Sequence, residues 1–173
     1  MNLIELQNKI HAQNKDMGWW DEPRQFSTFV CLFHSELSEA MEGDRKGLMD
    51  DHLPEYEMFW VELADFVIRC MDWLGSNDHN GLNDNFLIIK EDTSPIKLIA
   101  DMHWNISSSY ESDQNGDHSE RDAWITDAVH TCFGFAKAKK FGIYSIILEK
   151  VEYNKHRADH KRENRAKTGG KKY

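Results

Sequence analysis

Cysteine is scarce, proline scarcer in effect, and no apolar run is long. The three cysteines, Cys31, Cys70 and Cys132, are odd in number, far apart and free of any C-x-x-C spacing. This excludes a disulfide framework and a Cys/His zinc pattern, and it predicts small buried hydrophobes in a reducing compartment. The three prolines fall where helices are expected to break or begin, at Pro23, Pro54 and Pro95. No apolar stretch is long enough to span a bilayer, and the first residues lack a basic segment followed by an apolar core. The expectation is a soluble, cytoplasmic protein with no membrane partner. There is no Walker-type glycine-rich loop, which excludes a P-loop enzyme. There is no Glu-x-x-His either, only Asp127-x-x-His130, which weighs against a di-iron carboxylate bundle.

An excess of positive charge is also missing. The net charge is −9 over 173 residues, so a nucleic-acid polymer is not the expected partner. The sign is unevenly placed. Residues 150–173 carry nine Lys/Arg against three Asp/Glu, a basic tail on an acidic body.

What the chain does have is helical periodicity. Residues 2–15 place Leu3, Ile4, Leu6 and Ile10 on one face. Gly18-Trp19-Trp20-Asp21-Glu22-Pro23 interrupts that pattern. Two adjacent tryptophans cannot both enter one helical core, so one packs and the other is left for a ligand; Trp20 is the candidate. Further helices are expected at about 25–45, 54–74, 94–111, 120–140 and 144–160. Between them lie an Asn/Asp/Gly-rich connection at 76–94, with a short apolar run Phe86–Ile89 that is either strand-like or docks on the bundle, and a polar loop at 112–119. The fold class is therefore all-α, a bundle of about six helices in a single domain over 1–160, followed by a mobile basic tail at 161–173.

Two acidic pairs stand out, Glu36-Leu37-Ser38-Glu39 and Glu62-Leu63-Ala64-Asp65. Each is spaced i, i+3, so both carboxylates of a pair share a helix face. Each lies beside an apolar stripe, not opposite it. Two such helices packed antiparallel bring four carboxylates together, and four like charges in a partly buried place call for a cation. An all-oxygen donor set suits Mg²⁺, or Mn²⁺ in its place. The bland alternative is a set of solvated surface acids on a non-catalytic helical adaptor.

At these residues the chain resembles the MazG-like all-α nucleoside triphosphate pyrophosphohydrolases, a superfamily that includes the dimeric dUTPases. The resemblance rests on three blocks in order: His34-Ser35-Glu36-Leu37-Ser38-Glu39-Ala40, then Glu62-Leu63-Ala64-Asp65-Phe66-Val67-Ile68-Arg69, then Glu149-Lys150-Val151-Glu152-Tyr153-Asn154-Lys155-His156-Arg157. It implies Mg²⁺ on Glu36, Glu39, Glu62 and Asp65, with Glu39 taken as the catalytic base. It implies a closing helix at 143–160 whose Lys150, Tyr153, Asn154 and Arg157 meet the triphosphate, and a terminal Gly169-Gly170-Lys171 that closes over it. The implied reaction converts a (d)NTP to a (d)NMP and pyrophosphate, for nucleotide-pool house-cleaning, in a homo-oligomer (dimer or tetramer). A narrower version is a dUTP- or dCTP-specific enzyme.

A weak internal repeat is visible as well. His34 to Glu42 aligns with His103 to Glu111, and Trp60 to Asp65 with Trp124 to Val129. The acidic positions become Asn105, Ser108, Thr126 and Val129. The helix pair at 25–75 is then the active copy, and the pair at 94–141 a degenerate copy that keeps its packing.

Overall fold

The helix at Met58–Ser76 is apolar on nearly every face, and a helix of that kind is stable only when surrounded. In the computed structural model, which describes residues 1–165, 167 and 168, this helix (α3) is the centre. It touches α1 (Leu3–Asp16), α2 (Phe26–Lys46), α5 (His118–Ala138) and α6 (Ile143–His156). The remaining helices are α4 (Pro95–Gln114) and a single turn, α7 (Arg162–Arg165), with a 3₁₀ turn at Ala158–His160. The described residues form no strand; Met49 and Glu57 make one isolated antiparallel bridge. The protein is all-α.

Two antiparallel hairpins, α2–α3 and α4–α5, pack against each other through α2 on α4 and α3 on α5. Phe33, Leu37, Leu63, Phe66 and Leu74 are fully buried between the first pair and its neighbours. Gly43 permits the close approach of α2 to the start of α3: a Cβ there would lie 2.8 Å from the Phe59 amide nitrogen. Gly47, in the left-handed region at φ 61°, ends α2. Asn2 and Glu5 form a reciprocal cap on α1. Ser94 caps α4 by accepting from the Lys97 amide, with Pro95 at the first helical position.

Several expectations shift. α3 starts at Met58, four residues after Pro54, because the Asp50 carboxylate accepts from the amides of His52 (2.9 Å) and Leu53 (2.8 Å) and holds residues 50–53 in a turn. α6 ends at His156, not His160, since Arg157 adopts an extended backbone. Phe86–Ile89 is not a strand. Phe86 stacks on Phe133 at 5.0 Å, while Ile88 is wholly exposed. Cys70 and Cys132 are buried as expected, but Cys31 lies on the outer face of α2 and is exposed. No helix among the described residues is long and apolar enough to cross a membrane. Gly169, Gly170 and Lys171 lie outside the described residues.

Candidate functional site

The antiparallel packing of α2 on α3 brings three carboxylates together. Ligand oxygens of Glu36, Glu62 and Asp65 all lie within 4.8 Å of one another. Glu36 and Glu62 are only 5% and 7% exposed. Glu39 is not part of this cluster. Its carboxylate accepts from Ser35 Oγ at 2.9 Å on the exposed side of α2, near enough to reinforce the negative field at Glu36. The i, i+3 spacing places Glu36 and Glu39 about 60° apart around the helix axis, and the apolar contact with α3 covers only the first.

Two buried acids and a part-buried third so close must be neutralised, and the structure shows how. Arg69, one turn after Asp65 on α3, donates from Nε to Glu36. Lys150 on α6 reaches Asp65 with its ammonium 3.0 Å from the carboxylate. Among the described residues Glu62 has no cation of its own beyond a weak pull from Lys150. Burial first, then the charges of Asp65 and Glu36, push its carboxyl up to about 9, and as an acid it donates to Glu36. Burial likewise raises Glu36, with Arg69 opposing. The cluster thus sets three acids against two cations, Arg69 and Lys150, with Glu62 the acid that holds its proton.

Lys150 therefore has a different partner from the one the resemblance implied. It is 1% exposed. Burial opposes its charge, but Asp65 more than compensates and raises its pKa, with smaller help from Asp50 and Glu62. It is an internal counter-ion in this arrangement, not a surface-facing phosphate contact.

Beside the cluster lies a cavity of about 110 Å³. Asp65, Arg69, Asp72, Arg24, Asn154 and Arg157 line it on the polar side, with Trp19, Phe29 and Leu32 among the apolar walls. It is smaller than the roughly 300–1,000 Å³ that bury a drug-sized ligand. On the far side of Tyr153 and Arg157 an open groove of about 710 Å³ runs past His52, Leu53, Glu149 and Glu152. Arg157 is the wall common to both. Its guanidinium is held by Asp159 through two hydrogen bonds of 2.9 and 2.8 Å. Tyr153 is half-buried between the cations, its ring centre 5.9 Å from Lys150 Nζ and 5.9 Å from the Arg157 guanidinium.

Both tryptophans are half-buried and packed, and Trp19, not the expected Trp20, lines the cavity. Trp20 is not among the cavity's walls. It stacks on Phe29 at 5.3 Å, meets His11 edge-on, and donates from Nε1 to Asp72 at 3.0 Å. Trp19 is the one that lines the cavity, with Arg165 4.0 Å above its ring. Asp72 is buried and bound to His11 Nδ1 at 2.8 Å as well as to Trp20, which makes it an anchor for the 17–24 loop. Sequence reasoning did not single out Arg24 or Arg69. Arg69 was legible in principle, four residues after Asp65 and so on the same helix face. Arg24 was not, because only the fold of the loop carries it over Phe29 (4.4 Å) and hydrogen-bonds it to the Trp19 carbonyl.

The acid cluster fits a hard divalent cation by its chemistry: three carboxylates supply oxygen donors from two helices, and Glu62 holds a proton that a cation would displace. No protein-family model matches the chain, and neither a curated protein nor a solved structure matches it.

Proposed function

We propose that the protein is a Mg²⁺-dependent nucleoside triphosphate pyrophosphohydrolase. The observation that carries this reading is the convergence of Glu36, Glu62 and Asp65 beside a cavity lined by Arg24, Arg69 and Arg157. Buried acids that need both cations and a proton to coexist, next to converging guanidinium groups, form a place where a divalent ion and a phosphate chain are both favoured. The resemblance of the three sequence blocks supports the same assignment.

Glu36, Glu62 and Asp65 would hold Mg²⁺, or Mn²⁺ in its place. Such an ion supplies neutralisation of the phosphate chain and acidifies the attacking water. The chain's own residues do the rest. Glu39, on the solvent side of the cluster, is the base that receives the proton of the water. Arg157 and Asn154 meet phosphate oxygens from α6, and Arg157 exchanges Asp159 for them. Arg157 is the wall between the cavity and the groove, and the groove, with Tyr153 on its side, has the room for a nucleoside that the cavity lacks. Water adds at one phosphoanhydride, and a nucleoside monophosphate and pyrophosphate leave. Trp20 has no part in holding the base, because its ring faces and its N–H are already engaged by Phe29, His11 and Asp72.

A homo-oligomer belongs to this reading. Ile96 and Trp104 are large apolar side chains that α4 leaves 54% and 60% exposed, and sedimentation at two concentrations would detect self-association. A panel of ribo- and deoxyribonucleoside triphosphates incubated with MgCl₂ tests the activity itself. The expected outcome is equimolar monophosphate and pyrophosphate from at least one, with dUTP and dCTP as the narrower alternative. No release from any, together with melting temperatures that ignore Mg²⁺, would leave the acidic adaptor standing.

A further inference from the structure

Arg69 occupies an unusual position between the acid cluster and the cavity. Its Nε is committed to Glu36 across the α2–α3 interface. Its two terminal amino groups make no hydrogen bond with the described residues. The side chain keeps 38% of its surface exposed while its partner keeps 7%, and it lines the cavity with Asp65 and Arg157. The other two cavity arginines are restrained: Arg157 by Asp159, and Arg24 by the Trp19 carbonyl and the Phe29 ring. Arg69 thus has two whole amino groups to offer to the cavity, and one bond to Glu36 decides where they point.

A divalent cation and a guanidinium compete for the same carboxylate, since each satisfies it electrostatically and their like charges repel. We propose that Arg69 is the residue that couples the two halves of the site: it neutralises Glu36 until a divalent cation claims that carboxylate, and then turns its fork into the cavity to bind an oxygen of a polyphosphate. The inference rests on the metal reading of the acid cluster given above. It goes beyond that reading by making anion affinity conditional on what Glu36 is paired with. Binding of the cation and of the anion then become reciprocal, each favouring the other, through a side chain and not only through direct contact between ion and phosphate.

Inorganic triphosphate is the probe, titrated calorimetrically into the full chain. In EDTA, Glu36→Gln removes the competitor for Arg69 and is expected to bind triphosphate about fivefold or more tighter than wild type, a gain of roughly 1 kcal/mol. The double variant Glu36→Gln/Arg69→Gln has the wild-type net charge and is expected to lose that gain. A gain that persists in the double variant would show that Arg69 plays no part, and would overturn the inference. With MgCl₂ saturating, Arg69→Gln is expected to weaken triphosphate about tenfold or more, while Mg²⁺ alone binds at least as tightly as in wild type. If both ligands weaken together, Arg69 is a structural brace and the inference fails. Arg69→Lys, which keeps the charge and loses the fork, is the variant to use should Arg69→Gln not fold, and the same opposite movement is expected of it in smaller degree. The EDTA cycle reports on Arg69 alone, and the Mg²⁺ titration of wild type reports on the metal reading, so the two fail separately.

Discussion

The two helix hairpins share a shape and differ in what they bury. In α2–α3, Glu36, Glu62 and Asp65 converge with Arg69 and Lys150 as their counter-ions. In α4–α5, the positions that align with the acidic pairs are Asn105 and Thr126, both buried, with Ser108 and Val129. Thr126 Oγ1 simply donates back to the Asp122 carbonyl at 2.8 Å. The acids of that region, Asp113 and Asp122, are both held by Arg121 at 3.0 and 2.8 Å. His34 and His103, which the alignment makes equivalent, stack on one another with their Nδ1 atoms 2.7 Å apart. A helix hairpin therefore does not need converging buried acids to pack: Asp122, the acid buried in the second, has Arg121 and the Trp73 N–H as its own partners. Where converging acids occur, they are a cost that packing does not explain.

That contrast can be broken most sharply by activity. Asp65→Asn and Glu36→Gln are expected to lower turnover by about two orders of magnitude or more, because the groups that align water and phosphate are lost. Asn105→Ala and Thr126→Ala are expected to leave it within a few-fold. Steady-state rates on the best nucleotide decide, and loss of equal size in Asn105→Ala would end the asymmetry.

Stability offers the next test. Lys150→Met leaves the part-buried Asp65 without its partner, which is expected to cost about 1–3 kcal/mol. Adding Asp65→Asn is expected to recover most of that. Urea denaturation of the single and double variants measures it; a double variant no more stable than the single would mean that Lys150 matters for its packing, not its charge.

The pH dependence follows from Glu62. Its carboxyl is raised from 4.5 in the unfolded chain to about 9 in the fold, so the folded state holds a proton that the unfolded state has released. Stability from this group is full below about pH 4.5 and is lost as pH rises through 9. Wild type is expected to melt at progressively lower temperature between pH 6 and 9, and Glu62→Gln to melt higher than wild type at the top of that range. Parallel melting curves for the two proteins across that range would show that Glu62 is not the protonated member.

The smallest effect concerns helix ends. α4 and α5 are capped by the side chains of Ser94 and Asp117, whereas Gln25 and Glu57 make no such bond at the starts of α2 and α3. Ser94→Ala and Asp117→Ala should each cost about 1 kcal/mol, and Gln25→Ala close to nothing. Equal losses at all three would mean that the second hairpin does not depend more on its local signals than the first.

By itself the sequence determined the helices, because apolar residues recurring with the period of a helix can be buried in only one way. It determined that Glu36 lies on the seam of α2 and that Glu62 and Asp65 lie on one face of α3, for the same reason. The tertiary structure decided everything that depends on which faces meet. It put Glu39 on the solvent side, took Lys150 into the cluster, brought Trp19 and not Trp20 to the cavity wall, and carried Arg24 and Arg69 to one cavity. Those outcomes turn on a rotation of a helix about its axis and on the path of one loop, and neither leaves a period in the chain. Charge balance among buried groups is equally non-local, since the acids come from α2 and α3 and the lysine from α6, more than eighty residues further along.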